Sequence, residues 1–173
     1  MKYILSIIFL IILSGCSPDH TYKYYDFTSP SFDTEIGTIK VSLRGEFVLV
    51  DSSRKMKITH KGNPYEFWVW FQTDNGKIKK ISITNVEIFY KNGELAKKHN
   101  GGTITLKWSD YSNSYFGGWY FKNLEVEHRP LQVNFAVSIE TKNKKILKNF
   151  TFELSPEYKE EQANDFWSML MSV

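Results

Sequence analysis

Residues 131–154 read LQVNFAVSIETKNKKILKNFTFEL, and this stretch decides the class of fold. Apolar and polar side chains alternate with a period of two in its first half, as is typical of a strand with one buried face. The apolar members are Val133, Phe135, Val137 and Ile139. Phe150, Phe152 and Leu154 repeat the same spacing in the second half. The stretch therefore predicts an antiparallel hairpin that covers a core with one face.

Residues 78–90 predict a strand with an irregularity in its middle. The apolar residues up to Ile83 are odd-numbered, whereas those from Val86 onward are even-numbered. A regular strand cannot turn both sets to one face, because its side chains alternate strictly between the two faces. We therefore expect a β-bulge or a bend near Thr84-Asn85.

Further strand signals fill the chain from residue 36 onward. Residues 65–71, YEFWVWF, are apolar on both faces, which predicts a central strand that is covered on two sides. Asn-Gly pairs at 75–76, 92–93 and 100–101 favour tight hairpin turns. Eight or nine strands in succession predict a mainly β fold, an antiparallel β-sandwich of immunoglobulin-like class, within a domain of residues 36–173.

The C-terminal residues carry the signals of a helix. Ser155 suits the N-cap, and Pro156 suits the first helical position. An apolar stripe with spacings of three and four follows. Its members are Ala163, Phe166, Trp167 and Leu170. We expect one C-terminal α-helix that packs on the sandwich or, alternatively, docks on a partner or a membrane surface. The acidic N-terminal half of the helix disfavours an anionic membrane surface.

The composition limits the number of domains and the class of partner. A chain of 173 residues has room for one domain, and 16% aromatic residues are too many for a disordered chain. The net charge of +3 is too small to indicate nucleic acid as a partner. Lysines near the proposed turns fit protected sheet edges or, alternatively, attraction to anionic components of a cell envelope.

The N-terminus has the organisation of a secretory signal peptide. Residues 1–16 read MKYILSIIFLIILSGC, with a positive charge at Lys2 and an apolar stretch from Tyr3 to Leu13. This stretch is too short to span a bilayer, which takes about 20 residues. Small residues follow it, as they do before the cleavage site of an exported protein.

The last four residues of that segment are Leu13-Ser14-Gly15-Cys16, which resembles the lipobox of bacterial lipoproteins. The resemblance implies cleavage between Gly15 and Cys16 and attachment of diacylglycerol to the Cys16 sulfur, with further acylation such as palmitate on the new amine. It implies a lipid-anchored protein of the cell envelope. Position 17 is Ser rather than Asp, which favours the outer membrane, facing the periplasm, if the source is Gram-negative.

Cys16 is the only cysteine in the chain, so the protein cannot form an internal disulfide. Residues 1–15 are then the signal peptide, and residues 16–35 read as a lipidated tether that holds the domain off the membrane. The aromatic block Tyr22–Phe27 leaves open an alternative, in which this part docks on the domain as an edge strand.

The sequence shows no catalytic or metal-binding constellation. Its histidines at 20, 60, 99 and 128 lack metal-ligand spacing, and no nucleophile elbow, P-loop or dinucleotide-binding motif occurs. We therefore expect no catalytic residues, no metal, no cofactor and no enzymatic activity, with a hydrolase as the weakest alternative.

Residues 109–118 form the segment best suited to binding, as a polar loop between two tryptophans. Tyrosine and tryptophan offer flat faces, and aspartate and asparagine offer hydrogen bonds to a glycan or a protein. The candidate binding residues are Trp108, Asp110, Tyr111, Asn113, Tyr115 and Trp119. The alternative is a hairpin loop whose aromatic rings fold back on the domain, with Tyr111 exposed and Tyr115 drawn inward.

Together these observations predict a membrane-anchored binding or assembly module, held in membrane lipid through acylated Cys16. Its expected partner is an envelope protein or a glycan. The alternative function is a ligand-capturing lipoprotein with a glycan or small-molecule site at the 109–118 loop.

Overall fold

The structure, a computed structural model, describes residues 19–52 and 56–164. These residues form a mainly β protein. The strands are β1 (Asp19–Phe27), β2 (Ser31–Thr34), β3 (Gly37–Ser52), β4 (Met56–Thr73), β5 (Ile78–Tyr90), β6 (Leu95–Ile104), β7 (Lys107–Ser109), β8 (Ser114–Leu124), β9 (Leu131–Thr141), β10 (Lys145–Leu154) and β11 (Pro156–Asn164).

The strands form two sheets that share one hydrophobic core, as expected for a sandwich. Sheet A has the order β11-β1-β4-β3-β2, with β8 pairing with β4 and β7 pairing with β8. Sheet B has the order β10-β9-β5-β6. The predicted hairpin is confirmed as β9 and β10, which pair from Leu131↔Leu154 to Glu140↔Lys145. Its alternating apolar residues are buried in the core.

The predicted irregularity in residues 78–90 is also confirmed. The pairing of β5 with β9 shifts between Thr84 and Glu87, and Asn85 has a φ of 53°. The shift turns both Ile83 and Val86 into the core, where each is 1% exposed. The bulge thus allows odd-numbered apolar residues before it and even-numbered apolar residues after it to face the same core.

The three Asn-Gly pairs have three different roles, and only one closes a hairpin. Asn92-Gly93 joins β5 to β6, with the Gly93 N–H donating to the Tyr90 carbonyl over 2.8 Å. Asn75-Gly76 connects sheet A to sheet B instead. Asn100-Gly101 lies inside β6, where Gly101 has a φ of 91° and a Cβ would clash with the Ile83 carbonyl.

The segment predicted as a tether is ordered structure from Asp19 onward. β1 runs parallel to β4 on one side and antiparallel to β11 on the other. The alternative of a docked strand is therefore the one observed, although the strand lies inside the sheet rather than at its edge. Tyr65 fixes the end of β1, because its hydroxyl donates to the Tyr25 carbonyl over 2.7 Å. Burial raises the pKa of this Tyr65 hydroxyl to about 12.

The predicted C-terminal helix is wrong over residues 156–164, which form β11. Ser155 does not act as an N-cap; its N–H donates to Thr28 Oγ1 and its carbonyl accepts from the Thr28 N–H, each over 2.9 Å. Pro156 is tolerated because it is the first residue of the strand. β1 supplies pairing partners along the whole of β11, which outweighs the local helix signals. Phe166, Trp167 and Leu170 lie outside the described residues.

The β3–β4 hairpin extends beyond the core as an arm. The arm consists of 46–52 of β3, 56–61 of β4, 19–24 of β1 and 158–164 of β11. It begins where β3 and β4 change register between Gly45 and Glu46. The two strands approach closely there, since a Cβ on Gly45 would lie 2.6 Å from the Gly62 Cα.

Candidate functional site

The predicted 109–118 loop is shorter in the structure. β7 and β8 pair from Lys107↔Phe116 to Ser109↔Ser114, which leaves only 110–113 as a turn. The Trp108 Nε1–H donates to Asp110 Oδ1 over 2.8 Å, and Asn113 takes a φ of 48°. This segment is a tight hairpin in which Asp110 is engaged within the turn.

The six residues proposed for this loop do not converge on one site. Tyr111 is fully exposed, whereas the Tyr115 ring is half-buried against Gly76 and lies 5.1 Å from the Trp108 ring. Trp119 faces the core instead and packs beside Phe67. The expectation that Tyr111 is exposed and Tyr115 drawn inward is confirmed.

These placements predict opposite outcomes for two tyrosine truncations. Tyr111→Ala is expected to change the free energy of unfolding by less than about 0.5 kcal/mol, because an exposed ring has little packing to lose. Tyr115→Ala is expected to cost about 1–3 kcal/mol through lost burial and a lost ring pair. Urea denaturation of both variants measures the difference, and equal midpoints would contradict the placement of the two rings.

The outer face of sheet A carries a larger aromatic cluster than the loop. The prediction that residues 65–71 are covered on two sides is wrong, since only the odd-numbered residues enter the core. Trp68 and Trp70 point to the other face, where they are half-buried and meet solvent. Phe116 and Tyr120 of β8 lie beside them and are 40% and 46% exposed.

The four rings form one continuous stack. Neighbouring centroids are 4.3 Å apart for Tyr120 and Trp68, 4.5 Å for Trp68 and Trp70, and 5.0 Å for Trp70 and Phe116. Each Trp ring therefore has a neighbouring ring on both faces, whereas Phe116 and Tyr120 end the stack. Gly118 makes the arrangement possible, because a Cβ there would lie 2.6 Å from the Trp70 ring.

Charged side chains border the stack. The Arg44 guanidinium carbon lies 5.1 Å from the Trp68 centroid and 5.3 Å from the Trp70 centroid. Because it is almost equally far from two stacked rings, it borders the side of the stack rather than a ring face. At the Tyr120 end, hydrogen bonds from Lys122 and Trp68 lower the pKa of the Glu66 carboxyl. Glu66 thus stays ionised and holds the Trp68 indole N–H over 3.1 Å.

A groove of about 690 Å³ runs beside this stack. Trp70 and Phe116 form its aromatic wall. The polar and charged residues that line it are Asp26, Ser29, Ser31, Thr38, Lys40, Ser42, Arg44, Lys61, Gln72 and Glu157. The groove therefore combines an apolar wall with hydrogen-bonding groups, as binding sites for small polar molecules do.

Two features of the groove are unsatisfied within the described residues. Lys61 pairs with Asp26 over 3.2 Å, but Lys40 and Arg44 have no carboxylate within ion-pair distance in the described part of the chain. Ser42 is 8% exposed, and its Oγ has no hydrogen-bond partner among the described residues. A buried hydroxyl without a partner costs about 1–3 kcal/mol, so a polar ligand at this position would be stabilised.

Sequence reasoning missed this site although one signal was present. Trp68 and Trp70 share a face at a spacing of two, and Gly118 lies directly opposite Trp70 across the β4–β8 pair. The sequence cannot show that pairing, which joins residues about fifty positions apart. From the sequence alone, Trp68 and Trp70 therefore indicate a second buried face of the strand rather than a face exposed to solvent.

Comparisons with known proteins give no relative from which the site could be interpreted. No protein-family model, curated protein or solved structure matches the chain. Within residues 19–52 and 56–164, no group of three or more His, Cys, Asp or Glu residues is placed to hold a metal ion. In that same part of the chain no helix is both long and apolar enough to cross a membrane.

Proposed function

We propose that the protein is a lipid-anchored, non-enzymatic binding module of the cell envelope, with its ligand site in the groove on the outer face of sheet A. The anchor rests on Leu13-Ser14-Gly15-Cys16, and the envelope location follows from the same resemblance. In a Gram-negative source the module would face the periplasm from the outer membrane. The immunoglobulin-like class of the two sheets is part of the proposal.

The ligand class follows from the groove's chemistry. Lys40 and Arg44 form no salt bridge among the described residues. Arg44 interacts only at longer range with Glu66, which lies opposite it on β4. Arginine binds carboxylates in a bidentate manner, which adds geometric selectivity to charge. Phe116 ends the ring stack and offers apolar surface beside the cations. The lining holds three cations, Lys40, Arg44 and Lys61, against two carboxylates, Asp26 and Glu157. A sugar has an apolar C–H face and many hydroxyls, so an acidic saccharide satisfies the wall, the excess of positive charge and Ser42 together.

One observation carries this proposal: two cations that form no salt bridge among the described residues share a groove with a buried, unpartnered serine hydroxyl and an aromatic wall. The proposed site lies on β3 and β4 rather than in the 109–118 loop that the sequence analysis favoured. The proposed ligand is still a glycan, as in the alternative function considered there. An exposed apolar ridge alone would favour protein assembly instead, but the groove's polar groups favour a polar ligand.

Calorimetric titration with soluble muropeptides, which carry carboxylates, tests the ligand class against N,N′-diacetylchitobiose, a neutral disaccharide. We expect the muropeptides to bind more tightly, and we expect their affinity to fall as salt screens the charges. Arg44→Ala is expected to weaken binding roughly 10- to 100-fold, because a hydrogen bond to a charged group contributes about 1.5–3 kcal/mol. Its side chain is exposed, so the fold should persist.

Trp108→Ala is the matched control, since it removes an exposed aromatic ring from the predicted loop. We expect this variant to bind as the unaltered protein does. Lost binding in Trp108→Ala together with retained binding in Arg44→Ala would return the site to the loop. Equal binding of N,N′-diacetylchitobiose and the muropeptides would contradict an acidic saccharide.

A further inference from the structure

The arm carries an exposed apolar segment that the ligand groove does not use. Four consecutive residues of β3 are exposed: Phe47 by 60%, Val48 by 44%, Leu49 by 56% and Val50 by 56%. Phe47 and Leu49 lie opposite Lys61 and Thr59 on β4, and their neighbour Val48 points to the other face of the strand. The segment is therefore apolar on both faces of the sheet.

Both ends of the described chain meet at the far end of this arm. Asp19 pairs with Met56 of β4 and with Asn164 of β11, so the three residues lie in one row. Cys16 precedes Asp19 by three residues, a span of at most about 10 Å. Residues 165–173, DFWSMLMSV, continue from Asn164 and are mostly apolar in sequence.

We infer that the end of the arm inserts into the bilayer surface, with Phe47–Val50 as the contact. This inference rests on the lipid anchor of the proposed function. An acylated Cys16 would bring the row of Asp19 to within about 10 Å of the membrane. Leu49 lies three rows from Asp19 towards the core, about 10 Å along the strand. An arm that lies along the bilayer surface therefore brings Leu49 to the interface, where interfacial segments insert by about 5–10 Å.

A bilayer suits this segment better than a protein surface does. A flat partner covers one face of a strand, whereas fluid lipid covers both. Tyr22 and Tyr24 pack against Phe47, with ring centroids 6.5 Å and 6.2 Å away, and tyrosine is enriched at the membrane interface. The described residues of the arm hold four lysines and five carboxylates, and Arg54 and Lys55 in the sequence between β3 and β4 bring the charge to +1. So small a charge means that apolar contact rather than attraction to anionic lipid drives the insertion.

The depth is limited by the backbone. β2 pairs with β3 only over Gly37–Lys40, so the outer edge of 46–52 has no strand partner in the described part of the chain. Unpaired N–H and C=O groups are costly in hydrocarbon. Insertion is therefore limited to the boundary between headgroups and acyl chains, where water and headgroups can still bond to the backbone edge.

Fluorescent labelling tests the insertion in the lipidated full-length protein. Because acylation occupies Cys16, Leu49→Cys introduces a single reactive thiol for an environment-sensitive dye. The protein is reconstituted in vesicles of phosphatidylethanolamine and phosphatidylglycerol, 3:1, with and without brominated acyl chains. We expect the dye at position 49 to shift its emission to the blue and to be quenched by the bromines. Leu147→Cys on β10 is the control, because the Leu147 side chain is 67% exposed. A dye at position 147 should keep the emission that it has in water and should not be quenched.

A vesicle-bound protein whose dye at position 49 stays in water would overturn the inference while leaving the anchor intact. A blue shift without bromine quenching would also overturn it, since a second copy or another protein would then cover the segment. Failure of the unlabelled protein to remain with the vesicles would contradict the anchor, and the placement of the arm with it.

Discussion

Phe67→Ala is expected to lower the free energy of unfolding by about 3–5 kcal/mol, the range for a large buried aromatic residue cut to Ala. Phe67 is 0% exposed and lies in the middle of β4, between β3 and β8. Its ring stacks on Phe121 at 5.2 Å and meets the edge of Trp119 at 6.2 Å. The truncation would leave a cavity where the two sheets meet, and a domain of ordinary stability has only about 5–15 kcal/mol in total.

Trp68→Ala is the matched control, because the two residues are adjacent in the chain but lie on opposite faces of sheet A. The Trp68→Ala variant loses the stacking of the indole ring on Tyr120 and Trp70, which contributes about 0.5–1.5 kcal/mol for each pair. We therefore expect a smaller loss than for Phe67. Denaturation in urea, followed by circular dichroism, gives both values. Equal losses would mean that the outer face of the sheet is covered after all.

The inner strands could be predicted because their positions follow from local patterning alone. β9 needs only strict alternation, and its hairpin partner β10 lies a few residues away. Even the bulge in β5 could be predicted, since apolar residues that change from odd to even positions can face one core only if the strand is irregular between them. Each of these predictions depends on residues that are close together in the sequence.

The two ends of the chain could not be predicted, because their strands exist only through distant pairing. β1 pairs in parallel with β4, and β11 pairs with β1 across more than a hundred residues. Neither strand shows sustained alternation, since the arm has no deep core beneath it. The Ser155-Pro156 signal describes an isolated helix start correctly, but the strand partner supplied by β1 overrides it.

The candidate site failed to appear in the sequence for a related reason. Trp68, Trp70, Phe116 and Tyr120 form one stack only after β4 and β8 pair, and the groove needs Arg44 of β3 as well. A loop rich in aromatic and polar residues was the more visible candidate. The rings that meet solvent in a stack belong instead to regular strands, whose outer faces look like a second core in a linear sequence.

Because Asp19–Phe27 form β1 rather than part of a flexible tether, the effect of the lipid anchor on the domain also changes. A flexible spacer of residues 16–35 would let the domain stand away from the membrane. With β1 beginning at Asp19, only 16–18 separate the proposed acyl chains from the sheet. The anchor would therefore fix the orientation of the domain and not only its location.

Cys16→Ser is expected to abolish acylation, to leave the signal peptide uncut by the lipoprotein peptidase and to move the protein out of the membrane fraction, except for molecules that the uncut apolar stretch Tyr3–Leu13 retains. The lipobox resemblance implies a thioether at position 16, and a serine oxygen cannot form it. Each buried CH₂ of an acyl chain contributes about 0.8 kcal/mol, so the loss of two or three chains far exceeds what the apolar segment of the arm could replace. Fractionation and intact mass together report the location, the cleavage and the acylation.

Ser17→Asp is the matched control, because it alters the neighbouring residue and keeps the Cys16 sulfur. This variant should remain acylated and sediment with membranes; in a Gram-negative host the resemblance implies a shift from the outer to the inner membrane. If Cys16→Ser were still cleaved before residue 16 and still sedimented with membranes, the lipid anchor would be wrong. The arm would then lose the constraint that brings its end to the bilayer, whereas the groove on sheet A would keep its chemistry, since Lys40, Ser42 and Arg44 are placed by β3 alone.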